Sequence, residues 1–210
     1  SLVQLFEDKQ LWEDIGYTVK EGVIRDGEFV TLYRTEETSP AFLEDHSSID
    51  DLIQFRRFEN NVQEADWIVE DIEKNLHDEE LRYQDIMIIH PDPKITKSYV
   101  SHIRVKLMEK GIKSHIVGVQ TTPDDFFQED SIAISQIYRA KGNEANIVFI
   151  LNAQTMSAMQ TYSRNRLFTA MTRAKFKVYI YGVERSAMTT LINEFNEIKE
   201  KNFTLDFRYP

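Results

Sequence analysis

The sequence predicts an α/β fold built on a parallel sheet, and three observations carry that expectation. From about residue 51, strand-length apolar runs alternate with stretches whose apolar residues recur at helical spacing, the pattern of strand–helix–strand units. Ile86-Met87-Ile88-Ile89 is a continuous apolar run, as a strand covered on both faces requires. The 210 residues suffice for one such domain with a buried core and an appendage.

Taken in order, residues 1–50 read as an appendage or lead-in. Leu11-Trp12-Glu13-Asp14-Ile15-Gly16-Tyr17 suggests a short helix stopped at Gly16. Val23-Ile24 and Phe29–Tyr33 flank Arg25-Asp26-Gly27-Glu28, a strand–turn–strand signal. Thr38-Ser39-Pro40 and His46-Ser47-Ser48 are loop chemistry and mark a boundary, so residues 51–210 form the main domain. Within it, Asp51–Phe58 contains a short strand, Ile53-Gln54-Phe55-Arg56-Arg57-Phe58. A helix follows over Asn61–Asn75, through Val62, Ala65, Ile68, Val69 and Ile72. After the Ile86–Ile89 strand comes a helix over Lys97–Lys110, with Val100, Ile103, Val105, Leu107 and Met108 as its apolar residues. Strands are then expected at Ser114–Val119, Ile132–Ile137, Ile147–Leu151 and Val178–Gly182, with helices at Asn165–Ala174 and about Ala187–Glu200.

Composition excludes several classes. No apolar run approaches the roughly 18 residues a membrane helix needs. The opening SLVQLFEDKQ has neither the basic nor the apolar region of a signal peptide. The absence of cysteine excludes disulfides and thiolate metal sites and fits a cytoplasmic location. A net charge of −10 argues against a surface that binds nucleic acid throughout. The charge is uneven, however. Residues 1–130 hold 14 basic against 29 acidic side chains, whereas residues 131–185 hold 8 against 2. Basic charge is concentrated in Ser131–Ile150 and Arg164–Gly182, which read as one working edge.

Familiar chemistry is mostly missing. Gly22 and Gly27 have P-loop spacing, but Glu28-Phe29 follow where Lys and Ser or Thr are needed. The chain therefore has no P-loop of its own. Histidines 46, 77, 90, 102 and 115 show no metal-ligand spacing and read as surface or strand-end residues. Asp124-Asp125 reads as a solvated turn. In the second half, Tyr138-Arg139-Ala140-Lys141-Gly142-Asn143-Glu144 follows a strand directly. Gly142 allows close backbone approach, Glu144 can accept from sugar hydroxyls, and Arg139 and Lys141 can meet phosphates. On a helix over Asn165–Ala174, Arg166, Ala170 and Arg173 would share one face and Leu167, Met171 and Ala174 another, towards the sheet. A rigidly held guanidinium suits a transferring γ-phosphoryl group.

Together these stretches resemble the last motifs of superfamily I helicases of the UvrD/Rep type. Ala140-Lys141-Gly142-Asn143-Glu144 before Ile147-Val148-Phe149-Ile150, and Phe168-Thr169-Ala170-Met171-Thr172-Arg173-Ala174-Lys175 before Val178-Tyr179-Ile180, match in order and spacing. The resemblance covers roughly residues 55–185. It implies the C-terminal RecA-like motor domain of such a helicase, a parallel-sheet sandwich lacking its own P-loop, with the N-terminal helix and hairpin appended. The implied cofactors are ATP and Mg2+, held mainly by an N-terminal P-loop motor domain of the same protein. The implied partner is single-stranded DNA, with RNA left open. By the same resemblance Arg173 would be the arginine finger, and Gly142, Glu144, Lys141 and Arg166 would face the nucleotide. Gln136, Tyr138, Arg139 and His90 would face nucleic acid. One departure is plain: the family's Arg after the first strand of this domain is missing, and His90-Pro91-Asp92-Pro93 stands there. Either His90 or Lys94 substitutes, or the task falls to Arg173 and Arg166. A non-catalytic nucleic-acid or protein-binding module with a helicase-like fold is the alternative.

Overall fold

The structure is a computed structural model and describes residues 9–39, 42–78, 80–91, 96–119, 125–157 and 161–209; Lys94 and Asp124 lie outside the described residues. In chain order the elements begin with α1 (Lys9–Asp14), β1 (Tyr17–Gly22), β2 (Phe29–Arg34), α2 (Phe42–His46), α3 (Ile49–Leu52) and β3 (Ile53–Arg57). Next come α4 (Asn61–Asp78), β4 (Ile86–His90), α5 (Thr96–Glu109), β5 (Ser114–Ile116), β6 (Ile132–Gln136) and α6 (Ile137–Ala140). The chain continues through β7 (Ala145–Ile150), α7 (Thr161–Met171), β8 (Ala174–Gly182), α8 (Arg185–Glu200) and β9 (Leu205–Arg208).

Two compact units result: residues 49–191, and residues 1–48 with 192–210. The sequence pattern alone keeps the tail with the larger domain, and the structure moves it to the smaller one. The grouping follows from β9, which pairs antiparallel with β2 in a sheet ordered β1-β2-β9. In that small unit Trp12, Val30, Leu32 and Tyr209 form the core. Its first strand lies earlier than the expected Val23-Ile24. Tyr17 and Val19 pack on the core around Trp12, and Gly22, at φ +76°, begins the turn.

The larger unit is a six-stranded parallel sheet ordered β3-β8-β7-β4-β6-β5. Its central strands are apolar on both faces because both faces are covered. On one side Ile86, Ile88, Ile147, Phe149, Tyr179 and Tyr181 meet α4 and α5 through Ile68, Ile72, Ile103 and Leu107. On the other, Met87, Ile89, Val148, Ile150 and Ile180 meet α6 and α7 through Ile137, Ala140, Leu167 and Ala170, with Met188 and Leu191 of α8. The fold class expected from the sequence is thus the one observed, with helices on both faces of a parallel sheet.

Several boundaries and burials differ from expectation: β5 stops at Ile116 instead of Val119, and β8 starts at Ala174 instead of Val178. Helix α7 runs over Thr161–Met171, so it starts earlier and stops before Arg173. Ala170, expected on the arginine face, is fully buried. Val105 and Met108, counted as apolar positions of α5, are 48% and 70% exposed. Among the histidines, His90 and His115 are buried; His115 is held by the Ser131 hydroxyl at 2.9 Å and the Phe126 carbonyl at 3.0 Å.

Candidate functional site

Strand register separates the candidate residues into two groups at opposite ends of the parallel sheet. His90 pairs with Gln136, and Ile89 with Ile150, which puts all four at the carboxyl end. Ala145 pairs with Ala174, at the amino ends of β7 and β8. Six strand residues at roughly 3.3 Å each put about 17 Å between the two ends. The single working edge read from the sequence is therefore two edges. Strand β7 and helix α7 run from one to the other, because the chain must cross the sheet between consecutive motifs.

At the amino edge stand Lys141, Gly142, Glu144 and Arg173. Lys141, Gly142 and Glu144 are exposed. Gly142 has φ +89° and open space within 4 Å of the position a Cβ would take, so backbone approach is unobstructed there. The turn forms because α6 ends at Ala140, whose carbonyl accepts the Asn143 N–H at 3.0 Å. Arg173 sits in the tight connection between α7 and β8. Its carbonyl accepts the Ala145 N–H at 3.0 Å, which ties it to the strand that Glu144 precedes. Its guanidinium is half-buried: Nε donates to the Thr169 carbonyl at 3.2 Å and a terminal nitrogen donates to the Thr172 hydroxyl at 3.1 Å. Helical spacing alone puts Arg173 on a helix face; it lies beyond the helix because β8 must begin at Ala174 to pair with Ala145. Asp85, which no sequence motif singles out, joins this edge. The Asn146 side-chain amide donates to it at 3.1 Å. A side-chain hydrogen bond from Arg82 holds its carboxyl below the ordinary range, the Arg82 backbone N–H and Lys175 assist, and burial opposes them.

At the carboxyl edge, Gln136 ends β6 and Tyr138 and Arg139 follow on α6. Arg139 lies against Gly118, where a Cβ would come within 2.3 Å of its guanidinium. Tyr138 is 52% exposed, and its hydroxyl meets that of Tyr162, which is 61% exposed. That contact raises the Tyr138 pKa above the ordinary phenol value. Arg166 lies here too, not beside Glu144: it donates to the Pro91 carbonyl and its guanidinium lies 5.5 Å from the centre of the Tyr162 ring. His90, expected to face nucleic acid, is 2% exposed, and its Nε2 accepts from the Asn152 amide at 3.1 Å. Tyr162 escapes the sequence pattern because the periodic stretch begins only at Asn165.

Behind this edge lies a buried polar group. Glu64 of α4 is fully buried, and one of its oxygens accepts the Asn152 N–H at 3.2 Å. Burial pushes its carboxyl up to about 7, with the Asn152 hydrogen bond opposing. Asn152 adopts φ +49°, and its side-chain oxygen accepts from Gln154 at 2.9 Å. Gln154 in turn accepts the Val183 N–H at 3.2 Å. The network ties the ends of β4, β7 and β8 together.

Residues 131–181 match the UvrD-like helicase C-terminal domain family. No curated protein matches the chain. Among solved structures, the C-terminal domain of a possible DNA helicase from Lactobacillus plantarum WCFS1 aligns at TM-score 0.51 and 18% identity, covering 67% of this chain and 80% of that one. The Hef helicase domain of Pyrococcus furiosus (TM-score 0.42, 13% identity) and the Arterivirus nonstructural protein 10 helicase with DNA (0.39, 14%) each align over 63% of this chain. The chain spans 28% of the length of each of these two. Residues 131–181, which include Gln136, Tyr138, Glu144 and Arg173, thus match the UvrD-like helicase C-terminal domain model, on a parallel α/β sheet whose fold resembles that of the Lactobacillus plantarum domain.

Proposed function

We propose that this chain is the C-terminal motor domain of an ATP-dependent superfamily I helicase or translocase. It would supply an arginine finger and part of a single-stranded nucleic-acid track. The observation that carries the reading is the backbone bond between Ala145 and Arg173, which holds the finger candidate on the same edge as Glu144 and the open Gly142. These residues fit a nucleoside triphosphate: a cation for the γ-phosphoryl group, an exposed carboxylate for ribose hydroxyls, and a glycine that admits phosphate or sugar close to the backbone. ATP and Mg2+ would be held mainly by a P-loop domain, and the bound nucleotide would supply the free energy of translocation. This chain's part is electrostatic. The Arg173 guanidinium, now held by the Thr169 carbonyl and the Thr172 hydroxyl, would supply positive charge to the phosphate of a nucleotide bound by the P-loop domain. The single-stranded track would run over Gln136, Tyr138 and Arg139 at the carboxyl edge, and cytoplasmic action fits the cysteine-free composition.

In the intact protein, Arg173→Ala is expected to lower nucleic-acid-stimulated ATP turnover by about 10³- to 10⁵-fold while the chain still folds. Turnover within a few-fold of wild type would refute the finger assignment. The 210 residues alone are expected to hydrolyse no ATP. A second reading, a non-catalytic binding module, is favoured by the missing Arg after β4 and the burial of His90. It predicts an unchanged Arg173→Ala protein.

A further inference from the structure

We propose that Tyr138 and Tyr162, with Arg166 stacked behind Tyr162, form an aromatic clamp for unpaired bases at the carboxyl edge. This rests on the nucleic-acid reading above and adds a residue and a mode of recognition to it. Two elements far apart in sequence, α6 and the first turn of α7, bring the rings together through their hydroxyls. Rings this exposed contribute little to the core, since Tyr138 and Tyr162 are 52% and 61% exposed. Arg166 lies over the Tyr162 ring while its guanidinium is fixed on the Pro91 carbonyl, and the ring as a whole stays 61% exposed. A cation fixed on one side of an aromatic ring, beside a second ring, suits a flat ligand carrying negative charge. Arg139, packed against Gly118, and Arg166, on the Pro91 carbonyl, put two guanidinium groups at this edge, charge that favours a phosphate-bearing chain. A stretch of single-stranded nucleic acid meets both demands: bases stack on the rings and phosphates meet Arg139 and Arg166.

The test separates base from backbone. Binding of the 210-residue chain to a fluorescent oligothymidylate is compared with an abasic oligomer of equal phosphate count, by anisotropy at low and moderate salt. Wild type is expected to prefer oligothymidylate by at least about 5-fold. Tyr138→Ala or Tyr162→Ala should weaken oligothymidylate roughly 5- to 150-fold and leave abasic binding within about 2-fold. Tyr162→Phe keeps the ring and should keep the preference, which separates stacking from a hydroxyl-mediated structural role. Equal, salt-sensitive binding of both oligomers by wild type overturns the clamp and leaves the nucleic-acid reading standing. Binding of neither overturns both.

Discussion

Replacing Glu64 by glutamine should stabilise the larger unit, and the gain should depend on pH. The carboxyl is fully buried in α4 and accepts the Asn152 N–H, and burial pushes its pKa from 4.5 up to about 7. Between about pH 4.5 and 7 the folded chain keeps a proton on Glu64 that the unfolded chain has released. Stability from this group therefore falls as pH rises through that window. The displacement corresponds to roughly 3 kcal/mol, fully expressed only above pH 7. The amide introduced by Glu64→Gln would preserve an oxygen for the Asn152 N–H and carry no charge at any pH.

Glu64→Gln should thus match wild type near pH 4.5 and exceed it by up to about 3 kcal/mol at pH 8. Urea unfolding followed by fluorescence measures this directly. The chain has two tryptophans, and Trp67 lies on the same helix as Glu64. In a Trp12→Phe background Trp67 alone reports, and the comparison with Glu64→Gln cancels the titration of every other group. A difference between the two proteins that is flat from pH 4.5 to 8 would refute the assignment of the shift to Glu64.

Two further outcomes follow from the packing. Asp71 accepts from Arg56 at 2.8 Å and from the Tyr181 hydroxyl, whose pKa burial and then the Asp71 charge hold well above the ordinary phenol range. Asp71→Ala should cost about 3 kcal/mol in urea unfolding because two donors lose their acceptor, and Tyr181→Phe only about 1 kcal/mol. At Gly22, φ is +76° and a Cβ would fall 2.0 Å from the Phe29 carbonyl. Gly22→Ala should destabilise the β1–β2 pairing by more than about 1 kcal/mol. It should also lower hydrogen-exchange protection in β1 and β2 while β4 and β7 keep theirs.

What the sequence revealed depended on how local the cause was. The continuous run Ile86–Ile89 announced a strand buried on both faces because that requirement is written in the residues themselves. The end of α7 could not be read that way. Thr172 and Arg173 are acceptable helix residues, and the helix stops because Ala174 must pair with Ala145, 29 positions earlier. Glu64 gave no signal, since a glutamate in a helix's first turn is ordinary; only its position under Asn152 buries it. Val105 and Met108 show the opposite error. They have helical spacing, yet the narrow stripe of α5 that meets the sheet is filled by Val100, Ile103 and Leu107.

The same reasoning decides what the concentration of basic charge means. One basic edge would suggest one anionic ligand. Two edges about 17 Å apart, joined by β7 and α7, allow two. Helix α7 carries Tyr162 and Arg166 at the carboxyl edge and delivers Arg173 to the amino edge, over 11 residues or roughly 16 Å. Leu167 and Ala170 lock its middle turn into the core. Tyr162 and Arg173 therefore cannot shift independently without unpacking that turn, which close packing resists. Helix α7 is thus the element that joins the Tyr162 end of the sheet to the Arg173 end.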